Sequence, residues 1–170
     1  KGPNVMLGYY KDPIRTKSVF TEDGWFRTND IAVKDEKGRY FIKGRNNNMI
    51  LGPSGENIYP EEIESVINNV DGVNESIVVE RNGRLVALVQ LDENMIEWDK
   101  EGDDNFYEKL DAMKEKIQKM VNKNVNKTSQ VSSVEVMKEP FEKTATQKIR
   151  RFKYKDSAPT VEEESKSKGE

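Results

Sequence analysis

Lys148 in the stretch KTATQKIRR, Asp30 in TND, Arg45 in KGR and the glycines of LGPSGEN are the residues through which this chain could do chemistry. Two of the usual agents are missing, since the 170 residues include no cysteine and no histidine. That excludes a disulfide framework, a thiolate zinc site and a thiol nucleophile, and it removes the commonest general base. Any chemistry must use Lys, Arg, Asp, Glu, hydroxyls, amides or the backbone. Singly, each candidate has a plain reading. Asp30 is a turn residue, and Arg45 is one partner of a surface ion pair worth under ~1 kcal/mol. Gly52 and Gly55 shape a loop, and Lys148 is a solvated cation.

The elements around these residues can be read from periodicity. WFRTNDIAV and RYFIKGR flank the acidic, Gly-ended KDEKG and predict a β-hairpin. DPIRTKSVF suggests one helical turn after Pro13, and TEDGW a turn. NNNMILGPSGEN reads as a loop. In YPEEIESVINNV, Pro60 suits the first helical position and Glu61, Glu62 and Glu64 favour the positive end of the helix dipole. Ile63, Val66, Ile67 and Val70 share one face. Asn82-Gly83 between NESIVVER and RLVALVQL is a strong hairpin signal, because both residues tolerate positive φ. DDNFYEKLDAMKEKIQKMVNKNV predicts a long amphipathic helix with Phe106, Leu110, Met113, Ile117, Met120 and Val121 on its apolar side. VSSVEVM predicts a further strand, followed by a polar loop with Pro140.

The fold class expected is α+β: a small β-sheet covered by helices, preceded by a β-hairpin-rich piece. Residues 1–45 form that β-rich piece, 46–48 a polar joint, 49–155 the compact α+β unit, and 156–170 a flexible tail low in apolar residues. The 28 basic residues nearly cancel the 31 acidic ones, leaving a net charge of −3. This balance argues against a general nucleic-acid binder, which shows a basic stripe. No apolar run reaches the roughly 20 residues that span a bilayer. The chain begins at Lys1 and reads as a piece of something longer.

NVMLGYYKDP, DGWFRTNDIAVKDEKGRYFIKGR, MILGPSGENIYPEEIE and PFEKTATQKIRR, in this order and at this spacing, resemble the C-terminal region of AMP-forming acyl-CoA synthetases. These belong to the adenylate-forming superfamily, and the GPSGENIYPEEIE form looks most like long-chain fatty acyl-CoA synthetases. The resemblance covers most of residues 4–151. It implies a C-terminal fragment: residues 1–45 end a large N-terminal domain, 46–48 are the hinge, and 49–155 are a mobile C-terminal domain. The reaction implied has two halves. A carboxylic acid reacts with ATP to give acyl-AMP and pyrophosphate, and the thiol of CoA then displaces AMP. The fragment alone is expected to be inactive, because the family's phosphate loop lies in the large domain.

Carried over residue by residue, the resemblance implies that Asp30 binds the ribose hydroxyls, a role suited to a bidentate acceptor. Arg45 approaches ribose or phosphate, Asn47 is the hinge, and Gly55 with Glu56 flanks the pantetheine of CoA. Lys148 is the catalytic cation that bridges the substrate carboxylate and the α-phosphate. Glu64 reads as structural, an acid near a helix N-terminus bonded to loop amides. Asn29 and Gln147 depart from the family pattern, which has Gly at both positions. No metal site is expected within the chain, as Mg²⁺ would come with ATP and be held by phosphates and the large domain. The partners implied are the carboxylic acid, ATP, CoA and the protein's own large domain, in the cytoplasm or peripheral at the inner membrane. Two other functions stay open: an adenylation domain that loads a carrier protein, and a non-catalytic interaction module built on the Lys-rich helix.

Overall fold

A computed structural model of the chain describes residues 1–96 and 104–155. The tail expected at 156–170 lies outside them, as does the first aspartate of the long-helix motif. The described chain forms two compact units, one spanning Lys1–Asn47 and the other beginning at Asn48.

In the first unit, helix α1 (Pro13–Val19) begins at a proline, and the Asp12 carboxylate accepts from the Arg15 amide as its N-cap. It runs seven residues, longer than the single turn predicted. The cap satisfies an amide that the helix start leaves open, so the turn propagates through Val19 and stops at Phe20, whose backbone is extended. Strands β1 (Asp30–Lys34) and β2 (Tyr40–Arg45) form the expected antiparallel hairpin. Its turn is fastened by Arg39, whose Nε lies 2.7 Å from Asp35 Oδ2. The Arg39 hydrogen bonds hold the Asp35 carboxyl below its ordinary range.

The second unit opens with a correction. The segment predicted as loop contains a short hairpin, β3 (Ile50–Leu51) paired with β4 (Asn57–Ile58). Two-residue strands carry too little alternation to be read from sequence. Helix α2 (Pro60–Ile67) starts at Pro60 and buries Ile63 and Ile67. Strands β5 (Val73–Arg81) and β6 (Arg84–Leu91) meet across Asn82-Gly83, with φ of 52° and 73°. These positive angles are what a tight two-residue hairpin turn needs. After helix α3 (Asp104–Asn124) the chain returns as β7 (Ser133–Val136), parallel to β6. The sheet order is β5-β6-β7.

The sheet is apolar on both faces, which alternation along β5 and β6 resolves. Val78, Leu85, Ala87 and Val89 pack with α2 and α3 residues, including Ile63, Ile67, Leu110, Ile117 and Val121. Ile77, Val79, Val86 and Leu88 point the other way, onto Met137, Phe141 and Tyr154. Helices therefore cover one face, and the largely irregular segment 137–154 covers the other. Phe141 and Tyr154 meet edge to face at 5.3 Å between centroids. On α3, Met120 was expected on the apolar side but is 40% exposed. At 3.6 residues per turn it falls at the margin of the stripe centred on Leu110 and Ile117, so burial stops beside it.

Candidate functional site

Asp30 and Arg45 sit opposite each other at the end of the β1–β2 ladder. Their side chains pair, with Arg45 Nε 2.9 Å from Asp30 Oδ1. Both are partly exposed, so the pair contributes under ~1 kcal/mol and leaves the two groups accessible to a ligand. The preceding Asn29 has φ of 61°, and its carbonyl accepts from the Asn46 amide at 2.9 Å. Asn tolerates this left-handed region, so the turn expected of a glycine is made without one. Asn47 lies in a short 3₁₀ turn, Asn46–Asn48, at the end of the first unit.

Within the second unit the Gly-rich loop is a tight connection between β3 and β4. The Gly55 amide donates to the Gly52 carbonyl at 2.9 Å, and the Gly52 amide to the Glu56 carbonyl at 2.8 Å. Pro53 occupies the second turn position, which its fixed φ suits. Gly55 has φ of 84°, and nothing stands within 4 Å of where a Cβ would be, so its backbone faces open space. Gly52 is the opposite case, since the Glu56 side chain lies over its Cα and a methyl group would collide with it. Glu56 Oε2 also accepts from the Ser54 amide at 3.0 Å. The Glu56 carboxylate thus holds the loop's shape. The loop forms one wall of a groove of about 510 Å³, together with Glu80, Gly83 and Arg84 at the β5–β6 turn and Lys127 and Thr128.

Lys148 is exposed on the returning arm of a different turn, directly after Gln147. Lys143 and Ile149 bridge across its base, and the Thr144 amide donates to the Lys148 carbonyl at 2.8 Å. The Gln147 amide closes the turn on the Thr144 carbonyl at 2.9 Å. Gln147 has φ of 59°, so the position where the resemblance leads one to expect glycine is left-handed. Gln147→Gly is accordingly expected to leave stability within about 1 kcal/mol. Gln147→Val, β-branched at positive φ, should cost about 1–2 kcal/mol. Urea unfolding of the two variants checks both values.

The base of this turn is rooted more firmly than its tip. Lys143 Nζ lies 2.7 Å from Glu75 Oε1, and Glu142 pairs with Arg150 and Lys153. The Lys153 hydrogen bond, with the Arg150 charge adding, holds the Glu142 carboxyl below its ordinary range. Arg151 reaches inward to Glu64, with Nη2 2.9 Å from Oε2 and Nη1 bonded to Oε1. This corrects the reading of Glu64: its partners are Arg151 and the Val78 amide, not loop amides. Burial works against the Arg151 charge, but the hydrogen bond and charge of Glu64, with Glu61 adding, outweigh it and hold the guanidinium above its ordinary range. Arg151 was missed because it is one of several basic residues near Lys148 in sequence. The signal available was the repeated acid of EEIE, which gave no partner.

The Gly-rich loop and the Lys148 turn are anchored at different points along β5. One stands beside the β5–β6 turn at Glu80–Arg84, and the other is rooted at Glu75 near the start of β5. Five residues of strand separate these anchors, about 17 Å. Among the described residues no cluster of three or more acidic side chains is placed to hold a metal ion. None of the described helices is long and apolar enough to cross a membrane.

Comparison with solved structures places this architecture among adenylate-forming enzymes. The chain matches o-succinylbenzoate CoA synthetase (MenE) from Bacillus subtilis, in complex with the acyl-adenylate OSB-AMP, with a TM-score of 0.71 and 25% identity over 94% of this chain and 30% of that one. Residues 55–153 match the AMP-binding enzyme C-terminal domain family, and the chain belongs to that family. Among curated proteins, a long-chain-fatty-acid–CoA ligase of Salmonella typhimurium is 49% identical over 79 residues, which is 46% of this chain and 14% of that protein. A sulfoacetate–CoA ligase of Cupriavidus necator is 43% identical over 79 residues, 46% of this chain and 15% of that protein. The chain therefore spans about a seventh of the length of these relatives.

Proposed function

We propose that this chain is the C-terminal part of a ligase that activates a carboxylic acid with ATP to acyl-AMP and then transfers the acyl group to CoA. The observation that carries the reading is the placement of two candidate active loops at opposite ends of β5. Two loops separated in this way suit a domain that presents one face for each half-reaction. Lys148 serves the first half. Its ammonium sits between the substrate carboxylate and the α-phosphate oxygens, lowering the energy of the charge that builds as the mixed anhydride forms. The Gly-rich loop serves the second half, where the open backbone at Gly55 lets pantetheine pass close by. Glu56 keeps that loop in shape while flanking the same path.

Asp30 and Arg45 are the nucleotide-binding pair in this reading. The carboxylate accepts from the ribose hydroxyls and the guanidinium donates to ribose or phosphate oxygens. Mg²⁺ enters with ATP, held by its phosphates and by the large N-terminal domain, which is the chain's principal partner. The favoured acid is a long-chain fatty acid, supported by the 49% identity to the Salmonella ligase. Without the large domain the chain is expected to be inactive. ATP and CoA are cytoplasmic substrates, and the proposal puts the ligase there.

The test is to supply the large domain, add ATP, CoA and Mg²⁺, and measure pyrophosphate release with palmitate, decanoate, o-succinylbenzoate and sulfoacetate. Release fastest with palmitate supports the full reading. Release only with another acid keeps the ligase and moves its specificity, and no release with any of them sinks it. Asn47 is the proposed hinge. Asn47→Pro fixes φ at that position and restricts Asn46 before it. It is expected to lower overall turnover about tenfold, equivalent to ~1.4 kcal/mol, while at least one isolated half-reaction keeps its rate. Unchanged turnover removes Asn47 from that role.

A further inference from the structure

Strand β5 lies at an edge of its sheet, so every second residue turns its amide and carbonyl away from β6. An edge of this kind leaves backbone groups that must find partners or water. At Val78, which is itself buried, both find partners in one ion pair. The Val78 amide donates to Glu64 Oε1, and its carbonyl accepts from Arg151 Nη1 at 3.0 Å. Glu64 and Arg151 are also joined to each other by two parallel hydrogen bonds. Their side chains are 10% and 16% exposed, so little water competes. Glu64 stands on α2, directly after the Gly-rich hairpin. Arg151 stands three residues after Lys148. Two weaker ties back this one: Arg81 Nη2 donates to the Tyr154 carbonyl at 3.2 Å, and the Tyr154 hydroxyl accepts from the Glu142 amide at 2.8 Å.

We infer that Glu64 and Arg151 form a positioning pair for Lys148: by fastening the base of its turn to the edge of β5, they fix where the ammonium can reach. The inference rests on the ligase reading above. A long, exposed lysine gains accuracy only if its backbone is held, and a misplacement of about 1 Å costs as much as about 10²-fold in a positioned reaction. The turn's own hydrogen bonds fix its shape but not its location. The salt bridge fixes location, because it joins residues 87 positions apart. The Gly-rich loop has separate support from Glu56 and the β3–β4 pairing, so loosening Arg151 should leave it in place.

The experiment uses the full-length ligase and two isolated half-reactions: pyrophosphate release from ATP and the preferred carboxylate, and thioester formation from supplied acyl-adenylate and CoA. Arg151→Lys keeps the charge but loses the two-pronged geometry, and Glu64→Gln keeps an acceptor for Val78 without the charge. Each is expected to slow adenylate formation by about tenfold or more, within the span a displaced catalytic group allows, and to leave the thioester step near its normal rate. In the double variant the loss should not exceed the larger single loss, since the pair acts as one unit. Thermal melting identifies the single variant that folds best, and the two half-reaction rates are compared in that protein. Equal loss in both half-reactions, or no loss in either, overturns the inference while leaving the ligase reading standing. Absence of pyrophosphate from the unmodified enzyme overturns both.

Discussion

Lys148→Ala in the full-length protein is expected to slow acyl-adenylate formation by about 10²–10³-fold, the usual cost of removing one charge-stabilising donor. Thioester formation from supplied acyl-adenylate should stay near its normal rate. The asymmetry follows from location. Lys148 is exposed on a turn rooted near Glu75, whereas the Gly-rich loop stands at the β5–β6 turn. In the proposed reading Lys148 serves one half-reaction and the Gly-rich loop the other, so removing the one should spare the other. The effect should fall on the rate and not on ATP binding, because the ammonium's contribution is made as charge develops. Lys148→Arg is a useful comparison. It keeps the charge but presents a planar fork in place of a compact ammonium, so partial recovery is expected. Single-turnover kinetics of the two half-reactions provide the measurement. An equal fall in both would falsify the assignment of Lys148 to the first half.

The second large effect is on stability. Glu64→Ala is expected to destabilise the second unit by about 3–5 kcal/mol, the range for breaking a buried ion pair by removing one partner. Three losses coincide at this site. The Arg151 guanidinium keeps its charge without its counter-ion, the Val78 amide loses its acceptor, and α2 loses its tie to the segment covering the far face of the sheet. Glu64→Gln should cost less, since a carbonyl oxygen still accepts from Val78. Glu56→Ala serves as a contrast. Its carboxylate shapes an exposed loop through one hydrogen bond at 3.0 Å to Ser54, and the expected cost is about 1 kcal/mol. Urea denaturation of the three variants, read by circular dichroism, gives the ranking. If Glu64→Ala unfolds no more easily than Glu56→Ala, the buried pair does not anchor the unit.

Much of the fold is legible in the sequence where neighbours in the chain decide it. Asn82-Gly83 gives the hairpin because both residues accept positive φ, and the observed angles of 52° and 73° are those of that turn. Pro60 marks the start of α2, and the spacing of Phe106, Leu110, Ile117 and Val121 marks the buried side of α3. The β3–β4 hairpin escaped because each strand has only two residues. Met120 was misplaced because periodicity alone does not show how wide the covering surface is. The departures at Asn29 and Gln147 became interpretable only with backbone angles in hand: both residues occupy the left-handed region that a glycine would take without strain.

The candidate site divides along the same line. Residue types and order single out Asp30, Arg45, Asn47, Gly55, Glu56 and Lys148, since order along the chain is what a sequence records. That Glu56 folds over Gly52, that Arg45 pairs with Asp30, and that the Gly-rich loop and Lys148 stand at opposite ends of β5 are decided in three dimensions. Arg151 makes the difference plainest. In sequence it is one of several cations behind Lys148. In the folded protein it is the partner of Glu64, because strand β5 brings residues 87 positions apart against the backbone of one residue, Val78. Local torsional preference and apolar spacing are written in adjacent residues. A buried charge pair forms only where tertiary packing has removed water and left an edge amide and carbonyl to satisfy.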